Sequence, residues 1–241
     1  MHHGIIGSIF WAGAMAAAMA APDASVFDQK PKKLRKFNSI QYFAQEGRKV
    51  SFGGDALKWT GEGDCSQNEH MEPIISVQGN GASVRNAFIV MAPDGVHVSG
   101  KNVVIENLVF PKVCEDAITA NGADNLIIRN CAFRGAQDKA IQLNKGTNIL
   151  IENCYFEDCS KPVRVKTGVT VTVRNNVSRK SSAFVMADGA GAGAVVENND
   201  VSDSKWFVKA EKGATIELGP NQTAKILHPD EAVSGGRVLQ K

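Results

Sequence analysis

The stretches NLIIRNCAF (residues 125–133) and NILIENCYF (residues 148–156) repeat one pattern 23 residues apart. Apolar residues, an asparagine, a cysteine and a phenylalanine recur, while the central charge changes from Arg129 to Glu152. Four further segments share the pattern, and their asparagines follow one another at steps of 21 to 23 residues. The six asparagines are Asn86, Asn107, Asn130, Asn153, Asn175 and Asn198. A fixed period of this length predicts stacked structural repeats.

The residues inside each repeat predict strands. Apolar residues alternate with polar ones, as at Val103 and Ile105 or at Ile149 and Ile151, and apolar residues at helical spacing are absent. The chain also contains 23 glycines, which suit turns between short strands. Short strands at a period of about 22 residues predict an all-β fold, a right-handed parallel β-helix or solenoid, whose coils stack about 4.8 Å apart.

The residue before each of these asparagines changes the sign of its charge at every repeat. In chain order these residues are Arg85, Glu106, Arg129, Glu152, Arg174 and Glu197. In a parallel stack they lie one above another, where opposite charges contribute roughly 0.2–1 kcal/mol per pair. We call this set the charge ladder, and we predict that it faces solvent and fixes the register. The asparagines beside it are predicted to form hydrogen bonds along the stack at a bend.

The 241 residues and the net charge of +2 predict one domain and give no charge excess that points to nucleic acid. Residues 4–20 are uncharged and end in AMA, which predicts a signal peptide over residues 1–20, with a membrane anchor or a buried helix as alternatives. Residues 21–49 contain the basic run KPKKLRKF and are interpreted as a solvated linker or N-terminal extension. The β-helix is placed at residues 50–209, and residues 210–241 are interpreted as a cap or tail of the stack. We expect a monomer that does not contact membrane after signal cleavage.

A second set of columns follows nine or ten residues after the charge ladder. We call its first column the central row and the column three residues later the outer row. The central row contains Asp94, Asp116, Lys139 and Lys161, and the outer row contains His97, Thr119, Gln142 and Arg164. Glu115, Asp138 and Ser160 come one place before the central row. Strict alternation would put Lys161 and Arg164 on opposite faces of a strand, so a bend between them, at Pro162, is needed for both to face one groove.

The acidic residues of the central row cluster instead of alternating with basic ones. Asp94, Glu115 and Asp116 are predicted to lie within about 5 Å of one another, where carboxylates repel unless they are neutralised. Oxygen ligands suit a hard cation such as Ca²⁺. The alternative is a continued ion ladder in which Asp116 pairs with Lys139.

The motifs PDGVH, VCEDA, QDKAIQLN and EDCSKPVR, with SQNEHMEPI upstream, resemble those of the small β-helical pectate lyases of polysaccharide lyase family three, over residues from about 50 to 209. The resemblance implies an enzyme that cleaves polygalacturonate, the de-esterified form of pectin, by calcium-dependent β-elimination. Together with the predicted signal peptide, it predicts a secreted, extracellular protein. It implies Asp94, Glu115 and Asp116 as calcium ligands, and Lys139, Lys161 and Arg164 as catalytic residues. Glu69, Gln142 and Lys161 are predicted to bind substrate. Two departures from the family pattern are Lys112, where an acidic residue is common, and PV before Arg164.

The chemistry assigns roles to the three cations. Lys139 is predicted to be the base, its pKa lowered from about 10.4 by nearby positive charge, with Arg164 holding the substrate carboxylate and Lys161 binding substrate. Arg164 as the base is the rival within this mechanism. A non-catalytic β-helix that binds pectate or a cell wall is the alternative function. A polygalacturonase is disfavoured because hydrolysis needs carboxylates on both sides of the bond.

The five cysteines leave their pairing open. Cys131 and Cys154 lie one repeat apart and can form a disulfide or stack as free thiols. Cys114 and Cys159 lie two coils apart and are too distant to bridge, while Cys65 can reach Cys114 in principle. Near the end of the repeats, Trp206 and Phe207 are predicted to belong to the core rather than to form sugar platforms.

Overall fold

The computed structural model describes residues 21–61, 72–112 and 114–241. These residues form one short 3-10 helix, Ala24–Asp28, and 24 strands. The predicted signal peptide at residues 1–20, and Glu69 and Cys65, lie outside the described residues. No helix in the described part of the chain is long and apolar enough to cross a membrane.

The strands are short and follow one another closely. In the first half of the chain they are β1 (Leu34–Phe37), β2 (Gln41–Phe43), β3 (Lys49–Trp59), β4 (Pro73–Val77), β5 (Ser83–Met91), β6 (Asp94–Val98), β7 (Val104–Phe110), β8 (Asp116–Asn121), β9 (Ile127–Arg129), β10 (Ala132–Arg134), β11 (Lys139–Lys145) and β12 (Ile149–Glu152). In the second half they are β13 (Tyr155–Glu157), β14 (Lys161–Lys166), β15 (Thr170–Arg174), β16 (Val177–Arg179), β17 (Ala183–Asp188), β18 (Gly193–Glu197), β19 (Asp200–Ser202), β20 (Trp206–Glu211), β21 (Thr215–Leu218), β22 (Gln222–Ala224), β23 (His228–Val233) and β24 (Arg237–Gln240).

Two parallel sheets wrap around one core. A nine-stranded sheet has the order β2-β4-β6-β8-β11-β14-β17-β20-β23, so each strand pairs with the corresponding strand of the next coil. The fifteen-stranded sheet bends into two faces that share β3, β5 and β7. Partners are one repeat apart, as Ile141 is from Val163. This is the predicted all-β parallel solenoid, with three faces to a coil.

The bend between two of these faces lies at the six repeated asparagines. All six have positive φ values between 52° and 59°. Asparagine tolerates this left-handed conformation better than most residues, which explains its recurrence there. The predicted bend is therefore confirmed, and Asn107 Nδ2 donates to Asn86 Oδ1 at 3.1 Å. A longer amide ladder lies one residue later in the last coils, where it joins Asn176, Asn199 and Asn221 at 3.0 Å per step.

The charge ladder also has its predicted register. Arg129 lies opposite Glu106 in one neighbouring coil and opposite Glu152 in the other. Four of the six side chains form two ion pairs: Arg129 Nε is 2.9 Å from Glu106 Oε1, and Arg174 Nη2 is 2.9 Å from Glu152 Oε2. The two arginine side chains are 41% and 42% exposed, so the ladder faces solvent and each pair is screened.

The interior of the solenoid is filled by apolar residues from all three faces. Phe110, Phe133 and Phe156 are fully buried and stack with ring centroids 5.1 Å and 5.0 Å apart. Phe207 continues this interior column and is 5% exposed, as predicted. The prediction that Trp206 belongs to the core is wrong, because its position on the strand turns it outward and leaves it half-buried.

Both ends of the described chain contribute to the stack. β1 overlaps the basic run at residues 30–37 and pairs with β3. Before it, Phe27 lies across the outer side of one face, with Tyr155 at 6.1 Å between centroids and the Arg134 guanidinium 3.9 Å above its ring. Strands β21 to β24 continue the coils to Gln240.

The structure decides between the disulfide and the free thiols that the cysteine spacing had left open. Cys131, Cys154 and Cys159 are free and buried, so Cys131 and Cys154 stack as thiols rather than forming a disulfide. Burial raises the pKa of Cys154 well above its ordinary value and that of Cys159 to about 12. Cys114 is disulfide-bonded.

Candidate functional site

The nine-stranded sheet brings the central row together. Lys139 lies opposite Asp116 on one side and opposite Lys161 on the other. Asp94 begins β6, whose Val96 lies opposite Ile118 of the next strand, so Asp94 is in register with Asp116. The outer row is also aligned, with Gln142 between Thr119 and Arg164.

A kink at the start of each strand turns the two rows toward the same side. In β14, Pro162 and Val163 are both buried, so Lys161 and Arg164 both point outward. The expected bend is thus present, but it does not depend on the proline, because β11 shows the same pattern with Ala140 and Ile141 buried. In β6 the kink position is Gly95, where a Cβ atom would overlap the carbonyl oxygen of Ala117.

Three carboxylates converge at the acidic end of the site. Oxygens of Glu115, Asp116 and Asp138 lie within 4.8 Å of one another. Burial raises the pKa of Asp116 to about 7, and neighbouring carboxylates add to that rise, although Lys139 opposes it. Asp138 was missed as a member of this group. The sequence feature that could have identified Asp138 is its position, because it occupies the same column as Glu115 in the following repeat.

Asp94 is next to this group but has other partners. Its Oδ1 accepts from the backbone N–H of Asp116 at 3.1 Å, and its Oδ2 lies 2.8 Å from His97 Nε2. The carboxylate is 8% exposed. In this arrangement Asp94 orients the backbone at Asp116, where β8 begins directly after Glu115.

Lys139 lies between two of the carboxylates. Its side chain is 6% exposed, with Nζ 3.4 Å from Asp116 Oδ1 and in contact with Asp138 Oδ2. Burial opposes the charge on Lys139, but the two carboxylates outweigh burial and leave its pKa above the ordinary value. The lowered pKa expected from neighbouring cations is therefore absent in this arrangement. Burial raises the pKa of Asp138, but Lys139 and Lys161, which lies 2.9 Å away, bring it below its ordinary value.

Arg164 is anchored by a carboxylate from the next coil. Its Nη2 donates to Asp188 Oδ2 at 2.7 Å, and Lys212 Nζ lies 2.9 Å from the other oxygen. Asp188 is 5% exposed, and the hydrogen bond from Arg164 is the main reason that its pKa falls to about 2. Sequence reasoning missed Asp188 because it starts the glycine-rich stretch DGAGAGA. In the structure Asp188 lies opposite Lys166 of the preceding coil. Counting one repeat onward from Lys166 in the sequence would have placed Asp188 on this face.

The acidic group has the chemistry of a site for a hard cation. Its donors are carboxylate oxygens, which Ca²⁺ prefers. Asp116 Oδ1 is buried and accepts no hydrogen bond from any described residue, with only the Lys139 ammonium at ion-pair distance. A buried carboxylate oxygen in this state is costly and would be stabilised by a cation. The residues present therefore fit calcium.

The sequence profile of the family described as pectate lyase matches residues 28–217. No curated protein sequence matches the chain.

Solved structures resemble this fold at low sequence identity. Endopolygalacturonase I from Stereum purpureum, complexed with galacturonate, has a TM-score of 0.58 and 13% identity over 87% of this chain and 93% of its own. An alginate lyase from Paenibacillus sp. str. FPU-7 has a TM-score of 0.51 and 13% identity over 88% and 94%. PfbA, a surface adhesin of Streptococcus pneumoniae, has a TM-score of 0.51 and 11% identity over 82% and 61%. At these identities the likeness establishes the solenoid fold alone.

Proposed function

Because this chain belongs to the pectate lyase family and is therefore a polysaccharide lyase, we propose that it cleaves polygalacturonate by calcium-dependent β-elimination. The observation that carries the proposal is the change from acid to base along one outward surface. Glu115, Asp116 and Asp138 converge at one end, and Lys139 and Lys161 follow in register on the next coils. A polyanionic substrate with an acidic carbon next to each carboxylate suits that arrangement.

Glu115 and Asp116 are the proposed centre of the calcium site, with Asp94 and Asp138 on either side. Calcium bound there would neutralise the carboxylates that keep Lys139 protonated and would draw electron density from a substrate carboxylate. Asp94 acts on the site through its hydrogen bond to the backbone of Asp116 as well as through its charge. Asp138 also links Lys139 to Lys161, so it couples the acidic group to the basic one.

Lys139 is the proposed base. β-Elimination removes the proton at C5 of a uronate and expels the oxygen at C4, so the base must be neutral and must lie beside the bound carboxylate. Lys139 is more buried than Lys161 or Arg164, with side-chain exposures of 6%, 26% and 21%. Its amine is next to the acidic group, where a C5 proton would lie. We expect activity to rise toward alkaline pH as the amine loses its proton.

Arg164 is the proposed partner of the substrate carboxylate. A guanidinium does not lose its proton in proteins, and here it also donates to Asp188. This pairing favours Arg164 as a fixed positive charge over its role as the rival base. Gln142 lies between Thr119 and Arg164 on the outer row and is half-buried, a position that suits hydrogen bonds to sugar hydroxyls. Lys161 binds a further carboxylate.

The test is the ultraviolet absorbance of the unsaturated product during incubation with polygalacturonate. We expect product formation that needs calcium, stops with a chelator and is lost in Lys139→Ala, a loss of roughly 10²–10⁴-fold for a missing base. Lys145→Ala is the matched control, since this exposed lysine ends the same strand. New reducing ends without unsaturated product would mean hydrolysis, and binding without any product would mean a non-catalytic pectate-binding protein.

Secretion is part of the same proposal. Residues 1–20 carry the features of a signal peptide, and an enzyme that acts on plant cell-wall pectin has to reach a substrate outside the cell. N-terminal sequencing of exported protein is expected to begin at Ala21. An export-competent protein that retains residues 1–20 would contradict this assignment.

A further inference from the structure

The first coil of the solenoid is more basic than the rest of the chain. Residues 21–61 contain eight basic and four acidic side chains, a net charge of +4, whereas the whole chain carries +2. The later coils are therefore acidic on balance. Five of the eight basic residues belong to the run KPKKLRKF at residues 30–37. The proposed lyase chemistry gives this run no role.

The basic run is held in place as part of an edge strand. β1 lies at the end of its sheet and pairs with β3, with Phe37 opposite Trp59. Phe37 packs against the core, and Arg35 forms an ion pair with the buried Asp55 at 2.6 Å. Residues 30–36 are nevertheless all exposed. A charged surface that is ordered before it binds loses less conformational entropy on binding than a flexible tail would.

The lysines of this strand lie beside other lysine and glycine positions rather than beside carboxylates. Lys36 is directly opposite Lys58 in the parallel register, so the two residues are about 5 Å apart across the strands. The side chain of Lys32 lies over Gly54, where an added Cβ atom would be 3.8 Å from Lys32 Cε. Of the basic run, only Arg35 forms an ion pair with a described residue. Like charges on adjacent strands repel, and an anion bound between them would remove that cost.

We propose that these lysines bind a second stretch of the acidic polysaccharide on which the enzyme acts. We call the set Lys30, Lys32, Lys33, Lys36 and Lys58 the basic edge. Uronate carboxylates pair with ammonium groups, and a polymer of uronates can neutralise several of these lysines at once. No aromatic side chain of β1 or β3 is exposed, so these strands offer no platform on which nucleic-acid bases would stack. The proposal rests on the proposed function for the identity of the polymer.

The position of the basic edge favours long substrates. β1 belongs to the fifteen-stranded sheet, whereas the central row lies on the nine-stranded sheet, which begins at the same end of the stack with β2. Asp94 on β6 is two coils from β2, or roughly 10 Å along the stack. A polymer held at the basic edge therefore stays near the catalytic groove at a raised effective concentration. A trisaccharide that occupies one of the two surfaces gains nothing from the other.

The experiment measures binding of the whole protein to immobilised polygalacturonate by biolayer interferometry, with a chelator present so that calcium does not contribute. The test variant carries Lys32→Gln, Lys33→Gln, Lys36→Gln and Lys58→Gln. We expect it to bind roughly ten- to thirtyfold more weakly than wild type, which is the loss of four exposed ion pairs. We also expect wild-type binding to weaken as salt is added. With calcium present, kcat/KM is expected to fall on the polymer and to stay unchanged on trigalacturonate.

A charge-matched control variant removes four exposed lysines that lie outside β1 and β3. It carries Lys101→Gln, Lys180→Gln, Lys225→Gln and Lys241→Gln. We expect it to bind like wild type, and an equal loss of binding in this control would refute the basic edge in favour of a general effect of net charge. Lysines on an edge strand also discourage aggregation. If the test variant aggregates, Lys36→Gln combined with Lys58→Gln decides the matter, with an expected loss of about three- to tenfold.

The outcomes separate the basic edge from the lyase proposal. Wild-type binding by the test variant would refute the basic edge, even if the wild type forms unsaturated product. If binding falls as expected but the wild type forms no unsaturated product, the basic edge stands as a polyuronate-binding surface and the lyase proposal fails. Equal binding to fully methyl-esterified polygalacturonate would refute recognition of carboxylates. Tighter binding to double-stranded DNA, lost in the test variant, would overturn the assignment in favour of a nucleic-acid surface.

Discussion

Replacing Asp188 with asparagine tests the anchor of Arg164. The Asp188 pKa is about 2, against an ordinary value of 3.8. At ~1.4 kcal/mol per pKa unit, this carboxylate contributes about 2 kcal/mol to the free energy of unfolding at neutral pH. Because the pKa is lower in the folded protein, the contribution is complete above about pH 4 and is lost as the pH falls toward 2. Asp188→Asn removes it at every pH.

The assay is urea denaturation followed by circular dichroism at several pH values between 7 and 2. We expect Asp188→Asn to be about 2 kcal/mol less stable than wild type at neutral pH, and the two to converge near pH 2. Asp203→Asn is the matched control, since Asp203 pairs with the exposed Lys225 at 3.3 Å and solvent screens that pair. A stability difference that stayed constant from pH 7 to pH 2 would refute the electrostatic origin of the effect.

Three further predictions concern the stack itself. Phe133→Ala removes a fully buried ring between two others, and we expect it to lower the free energy of unfolding, measured in urea, by roughly 3–5 kcal/mol. A loss below about 1 kcal/mol would mean that the stacked phenylalanines contribute little to the stability of the core. Arg129→Glu places a carboxylate between Glu106 and Glu152. We expect it to lower the free energy of unfolding by about 1 kcal/mol at low salt and by less at high salt. A loss that does not change with salt would argue against charge repulsion. Cys159 is 1% exposed with a pKa raised to about 12, so it is expected to resist a thiol reagent until urea unfolds the protein, and rapid reaction of the native protein would contradict its burial.

Much of the fold was predictable because a solenoid turns sequence periodicity into contact. Residues one repeat apart become neighbours on adjacent strands, so Glu106, Arg129 and Glu152 could be aligned by counting alone. The same count placed Lys139 between Asp116 and Lys161. Few folds allow this, because in most of them the residues that meet in space have no fixed separation along the chain.

The partners of the site residues could not be predicted in this way. The count grouped Asp94 with Glu115 and Asp116, and in the structure Asp94 contacts the backbone of Asp116 as well as His97. The third carboxylate that converges with Glu115 and Asp116, however, is that of Asp138. Counting gives the column of each residue but not the direction of its side chain. Differences of a few ångströms between carboxylate oxygens then decide which ones converge.

The sequence alone determined the period, the strands, the charge ladder and the row that carries the acidic and basic groups, because each of these repeats along the chain. Only the tertiary structure decided that Asp188 anchors Arg164 and that Trp206 faces outward beside two lysines. The physical reason is the kink at the start of each strand, which breaks the alternation of inward and outward residues. Past that kink, the direction of a side chain depends on the packing of the neighbouring coils, which the repeat pattern does not contain.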